Sequence, residues 1–217
     1  MRTDTSEYHR LELAIANDPR DLRRLLPRIE TRHRRILDVG CGAGQTLIGS
    51  SLADEVFAVG LDTDESAVAL GKQLTSAVRF VIGEGESLPF ADGSFDLVIC
   101  RVALPYMHVA RALGEMSRVM AAGGDLWLVL HPFSMTAREL GANIARLELK
   151  SAIYRTWVLL NGLALHVSRR QWRWPSDHGG YETWQTNKSI TRALRAAGFD
   201  HVQIIRDNHF IVTASKP

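Results

Sequence analysis

Cysteine is scarce in this chain: Cys41 and Cys100 are the only two in 217 residues. Two are too few for a disulfide framework or a zinc site, no metal is expected, and a reduced cytoplasmic setting fits. No run of 18 apolar residues occurs, so nothing reads as a membrane-spanning helix. The opening decapeptide, MRTDTSEYHR, is polar and charged and has no apolar stretch of signal-peptide type. Internal repeats and low-complexity tracts are also missing. What is present is one domain's worth of chain, long enough to bury a sizeable core.

Lysine is rare too, since 22 of the 26 cations are arginine, and the net charge of +2 is unevenly spread. Residues 1–35 carry +3, residues 36–137 carry −7, residues 138–173 carry +5 and residues 174–217 carry +1. An acidic middle is flanked by basic segments. The plain reading of each cluster is a solvated helix face.

From residue 34 to 130 short apolar runs alternate with helical patterns. RRILDVG, VFAVGLD, VRFVIG, FDLVICRV and DLWLVL read as five strands. GQTLIGSSLA and DESAVALGKQL read as helices, with Asp64 placed to cap the second. ARALGEMSRVMAAGG reads as a third helix closed by its glycine pair. Near-continuous apolar strands alternating with helices predict a parallel sheet covered on both faces. The rhythm breaks between Pro132 and Thr186, where a long helical pattern precedes RRQWRWPSDHGGYETW. It resumes with the helix KSITRALRAAGF and two strands, HVQIIR and HFIVTAS, around a two-residue DN turn.

The stretch ILDVGCGAGQT runs from the first strand into Gly40, Gly42 and Gly44. The spacing approaches the G-x-G-x-x-G dinucleotide fingerprint, but the sixth position is Gln45. Asp38 lies two residues before the first glycine. A buried carboxylate repels a pyrophosphate and attracts an ammonium group. Asp62, after the second strand, can accept both hydroxyls of a ribose, which suits a nicotinamide dinucleotide equally well. After the third strand, Glu84 can accept from an adenine amino group and the Gly85 N–H can donate to a ring nitrogen. A ligand with ribose, adenine and a cationic amino-acid end satisfies all of these, and S-adenosylmethionine has the three parts.

ILDVGCGAGQT, VGLDTDESAV, GEGESLPFADGSFDLVICRVAL and the GG-DLWLVLHP strand resemble, in order and spacing, the class I S-adenosylmethionine-dependent methyltransferases, and among them the methyltransferase type 11 group. The resemblance covers about residues 30–131 well and 187–217 loosely. It implies an α/β, Rossmann-like, doubly wound seven-stranded sheet. That sheet is mostly parallel, with an antiparallel C-terminal strand and a helical insert after strand five. The implied single domain divides into an N-terminal helical cap (1–33), a cofactor-binding core (34–131), an acceptor-side insert (132–186) and a last helix with hairpin (187–217). The implied cofactor residues are Asp38 for the amino group, Gly40, Gly42 and Gly44 at the methionine part, Asp62 at the ribose, and Glu84 and Gly85 at the adenine, with Cys41 and Thr63 also in the cofactor-binding set. The backbone carbonyl near Arg101 faces the amino group. The family usually has Asp where this chain has Glu84. An N-terminal helix bearing Tyr8 and His9 is implied to fold over the cofactor.

Two imidazoles are candidate general bases: His131, which ends strand five, and His178, beside Asp177 and before Tyr181 and Glu182. Methyl transfer needs little beyond in-line geometry and a deprotonated acceptor, so each competes with a packing role. Cys41 reads as a small residue filling a tight turn, and Cys100 as packed core. His108 reads as structural, at a helix start. RVALPYM follows strand four where amino methyltransferases of bases have an Asn/Asp-Pro-Pro-aromatic motif, which counts against a nucleic-acid partner. The leading expectation is methyl transfer to a small-molecule or lipid-like acceptor. RNA, which the Arg and Trp of RRQWRWP would suit, is the alternative acceptor; a non-catalytic S-adenosylmethionine-binding module is the other alternative. The apolar stretch AIYRTWVLLNGLALHV lies among Arg146, Lys150, Arg169, Arg170 and Arg173. It is expected either to pack on the sheet, to cover the acceptor, or to touch an anionic membrane surface.

Overall fold

A computed structural model of the chain describes residues 5–176 and 180–217. Asp177 and His178 therefore lie outside the described residues. Seven strands form one sheet: β1 (Arg35–Val39), β2 (Phe57–Asp62), β3 (Val78–Ile82), β4 (Phe95–Arg101), β5 (Met120–Leu130), β6 (Asp200–Ile205) and β7 (Phe210–Ser215). Their order is β3-β2-β1-β4-β5-β7-β6. β1 to β5 run parallel, and β7 is antiparallel to both its neighbours, β5 and β6. The strand-helix rhythm predicts the parallel part, and the whole is the mostly parallel, doubly wound seven-stranded sheet that the family resemblance implies.

Period-2 alternation along the central strands divides the core in two. Leu37, Val98 and Leu128 point to one face and pack with Leu113, Met116 and Phe199. Ile36, Ile99 and Trp127 point to the other and pack with Leu47, Val68 and Phe80. Helices cover both faces: α1 (Thr5–Asn17), α2 (Gln45–Gly49), α3 (Glu65–Leu74), α4 (Val109–Val119), α5 (Phe133–Ala145), α6 (Leu149–Ser168) and α7 (Asn187–Ala196). Asp64 caps α3 as expected, accepting from the backbone N–H of Ser66 at 2.9 Å and of Ala67 at 3.2 Å. α7 opens on a capping box of Thr186 and Ser189.

Two local expectations fail. The glycine pair Gly123–Gly124 does not close α4; the helix ends at Val119 and residues 120–124 belong to β5. The Lys216 ammonium donates to the carbonyls of Ser117 and Met120, both at 2.8 Å, so a cation from the C-terminus satisfies the end of α4. The last hairpin has a four-residue connection, 206–209, where two residues were expected.

The order of strands reverses between β1 and β4, which makes the carboxyl ends of these two strands the expected ligand crevice. α5 and α6 follow β5 on that side. α6 approaches the 171–185 segment closely: a Cβ on Gly162 would come within 2.3 Å of the Trp184 indole nitrogen. No helix among the described residues is long and apolar enough to cross a membrane.

Candidate functional site

β1 leaves the sheet through three left-handed glycines, Gly40 (φ 75°), Gly42 (φ 55°) and Gly44 (φ 83°). Their missing side chains matter for packing as well as for backbone shape. A Cβ on Gly40 would lie 2.2 Å from that of Ala103, and one on Gly42 2.7 Å from the His9 ring. Asp62 ends β2 and accepts from the Gly42 N–H at 2.7 Å and the Asp64 N–H at 2.9 Å. The ends of β1 and β2 are thereby locked together around one carboxylate.

Asp38 is buried beneath this turn, and neither of its carboxylate oxygens has a hydrogen-bond partner. Burial pushes its pKa up to about 7; the Arg101 guanidinium and the nearby Thr46 hydroxyl, which is not in hydrogen-bond geometry, oppose the rise and the Asp62 carboxylate adds to it. An unpaired buried carboxylate is costly unless a cation or donor meets it. Arg101, at the end of β4, points its side chain to Glu12 of α1 at 2.6 Å. That ion pair ties the N-terminal helix over the glycine turn, and His9 reinforces it through Gln45 at 2.9 Å.

Two cavities meet at Gly40, Asp62, Ala103 and Tyr106. The first, of about 520 Å³, runs under α1 past Glu12, Cys41, Gly42 and Arg101. The second, of about 540 Å³, runs past Thr63, Glu84, Gly85 and Met107 towards Tyr181. Nine of the ten expected cofactor residues line these cavities or form the turn between them; Asp38 lies below the surface and reaches them only through its field or a bridging group. Gly44 faces Phe80 and shapes the turn from behind. Glu84 is exposed, whereas the neighbouring Glu86 is engaged by the His108 N–H at 2.9 Å.

Cys41 is buried against Gly60 and donates its thiol to the Gly42 carbonyl at 3.3 Å. Burial pushes its pKa well up, so it is a packed thiol and not a nucleophile. Cys100 is fully buried and shifted in the same direction. His108 caps α4 and meets Tyr181 edge to face, a structural role.

His131 follows β5 and is buried. Its ring packs edge to face on Tyr106, 5.4 Å between centroids. Burial lowers its pKa, Glu182 opposes this and Arg155 adds to it. His131 lines a third cavity of about 480 Å³ with Ser134, Met135 and Arg138, which shares Val102, Val129 and His209 with the first cavity. Val102 adopts φ 67° at this junction, a strained conformation for a β-branched residue. Behind His131, Glu182 accepts from the Tyr154 hydroxyl at 2.6 Å and from Arg155. Three lining or supporting groups were not singled out from sequence as such: Tyr106, Glu12 and this Glu182 pairing. Tyr106 was within reach of strand-end reasoning, since it follows β4 by five residues. Glu12 had no such signal.

Residues 37–128 match the family described as the methyltransferase domain. The chain is 34% identical over 133 residues to the protein named uncharacterized methyltransferase YcgJ of Bacillus subtilis, covering 58% of this chain and 52% of that protein. It is 42% identical over 94 residues to a demethylmenaquinone methyltransferase of Beutenbergia cavernae, covering 42% of this chain and 38% of that one. The chain thus spans about half or less of the length of these relatives. Among solved structures, one from Thermotoga maritima described as an S-adenosylmethionine-dependent methyltransferase, possible histamine N-methyltransferase, superposes with a TM-score of 0.62 at 18% identity. It covers 98% of this chain and 96% of that one, a likeness of fold.

Proposed function

We propose that this chain is a class I S-adenosylmethionine-dependent methyltransferase that transfers a methyl group to a small-molecule or lipid-like acceptor, a reading supported by the methyltransferase-domain match and the methyltransferase relatives. The observation that carries the reading is Asp38. Its unpaired, buried carboxylate under the glycine turn calls for a cationic group, and the amino-acid end of S-adenosylmethionine supplies one. The cofactor brings its methyl group on a sulfonium centre.

The residues present fit that cofactor. Asp62 keeps acceptor capacity beyond its two backbone bonds for ribose hydroxyls. Glu84 and the Gly85 N–H stand at the far cavity for a base. Glu12 adds negative potential at the amino-acid end, and Arg101 can receive a carboxylate there. A pyrophosphate has no comparable place: Gln45 fills the sixth fingerprint position, and Asp38 repels it.

The third cavity is where we place the acceptor, because it adjoins the first at Val102 and Val129. His131 holds its imidazole neutral there through burial, so a ring nitrogen is free to take the acceptor's proton. The similarity to a demethylmenaquinone methyltransferase supports an apolar, lipid-like acceptor. The setting is cytoplasmic, where Cys41 and Cys100 stay free.

The test is release of S-adenosylhomocysteine from the purified protein given S-adenosylmethionine and a panel of quinols, phenols, amines and carboxylates. Acceptor-dependent release is expected. Tight cofactor binding with no release from any acceptor would contradict catalysis and favour a binding module.

A further inference from the structure

α6 is apolar on two opposite faces. Val158, Gly162 and Leu165 are buried on the side that meets the rest of the fold. The other side carries Leu149, Ile153, Leu160, Leu163 and Val167, all exposed, with Leu149 at 73% and Val167 at 70%. With Thr156 filling the one gap, these positions follow alternating four- and three-residue steps. They make a single stripe along all 20 residues of the helix, roughly 30 Å at 1.5 Å per residue. A continuous stripe of this kind marks an interaction surface, unlike apolar residues scattered singly.

Charge decides what covers it. Arg146 and Lys150 are exposed at the start of α6, Arg169 and Arg170 at its end, and Glu148 is the only acid between residues 140 and 176. The spacing alone would suit a coiled coil with a second copy. A parallel pair would set Arg146 and Lys150 against themselves. An antiparallel pair would set them against Arg169 and Arg170. Both arrangements oppose cation to cation. Anionic lipid headgroups complement both ends at once, while the stripe sinks to the acyl boundary.

We propose that the exposed face of α6 docks this protein flat on an anionic bilayer surface. α5 packs beside α6 and carries Ser134, Met135 and Arg138 into the third cavity. The docked face and that cavity therefore belong to one helical pair.

Vesicle sedimentation tests this on the full chain. Phosphatidylcholine vesicles are compared with vesicles of phosphatidylcholine and phosphatidylglycerol at about 0.1 M salt. Binding to the mixed vesicles only is expected. Leu160→Glu/Leu163→Glu should abolish it, and Arg169→Gln/Arg170→Gln should weaken it at least about tenfold. Calorimetry with S-adenosylmethionine on each variant checks that the fold survives. Equal binding by the wild type and both variants would overturn the proposal, as would no binding to mixed vesicles. So would a dimer, seen by analytical ultracentrifugation, that the leucine variant dissociates.

Discussion

Asp38 holds an ionisable group where water does not reach it, and this gives a pH dependence of definite sign. Its pKa rises from 3.8 to about 7 on folding. Well below pH 3.8 the carboxyl is protonated in both states and costs nothing. As pH climbs towards 7 the unfolded chain ionises first, so ligand-free stability is lost, by about 4 kcal/mol at most. Asp38→Asn should therefore raise the melting temperature of the ligand-free protein at pH 8 by about 2–8 °C, and change it much less at pH 4. The residual unpaired amide keeps the gain below the full penalty. The same substitution should weaken S-adenosylmethionine binding at least about tenfold, and wild-type affinity should fall between pH 8 and pH 6 as Asp38 takes up a proton. Scanning fluorimetry and calorimetry check the two halves. His131 carries a separate expectation. His131→Ala should lower turnover about 10²–10⁴-fold with the cofactor dissociation constant unchanged, and the acid limb of the wild-type profile should lie below pH 6.5. Undiminished turnover would reduce His131 to a packing partner of Tyr106. Asp38, Asp62 and the glycines were legible in the sequence because they sit at the ends of recognisable strands. The Arg101–Glu12 pair was not, since 89 residues separate its members and no local pattern links them.

At the scale of elements, the insert depends on one buried amide. The Asn161 side chain donates to the carbonyls of Trp172, Tyr181 and Glu182 at 3.0, 3.2 and 3.2 Å. Its own oxygen accepts from the Trp172 N–H at 2.8 Å. It pins both ends of the segment around Trp174 to α6. Asn161→Ala leaves these backbone groups unsatisfied and should cost about 1–3 kcal/mol in urea denaturation. A loss under about 0.5 kcal/mol would mean the Tyr154, Trp157 and Trp174 rings hold the segment by themselves. The insert's two helices read as one long pattern in the sequence because no glycine or proline separates them. The chain breaks at Leu147 with φ 57°, and α6 ends at Arg169 with φ 62°, so neither terminus shows the usual glycine. The end of α4 was misread for the converse reason. Ala121 and Ala122 favour helix locally, but pairing of Met120 with Phe95 draws the segment into the sheet. Tertiary pairing overrode propensity there.

Across the whole molecule, topology and charge work together. The reversal of strand order between β1 and β4 gathers Asp38, Asp62 and Arg101 at one crevice, and the acidic stretch 36–137 surrounds it. A cationic ligand meets favourable potential there, while the basic segment 138–173 brings Arg138 to the third cavity and Arg173 to the second. The parallel core was readable from the run of apolar strands. The placement of β7 between β5 and β6 was not, because strand periodicity is silent about neighbours; the family resemblance implied only that the last strand is antiparallel. Titration of the wild type with S-adenosylmethionine and with NADH in the calorimeter, repeated on Asp62→Ala, tests the cofactor assignment most directly. Saturable S-adenosylmethionine binding that weakens at least about tenfold in the variant, with no NADH binding, is expected. NADH binding without S-adenosylmethionine binding, or an Asp62→Ala variant with unchanged affinity, would contradict it.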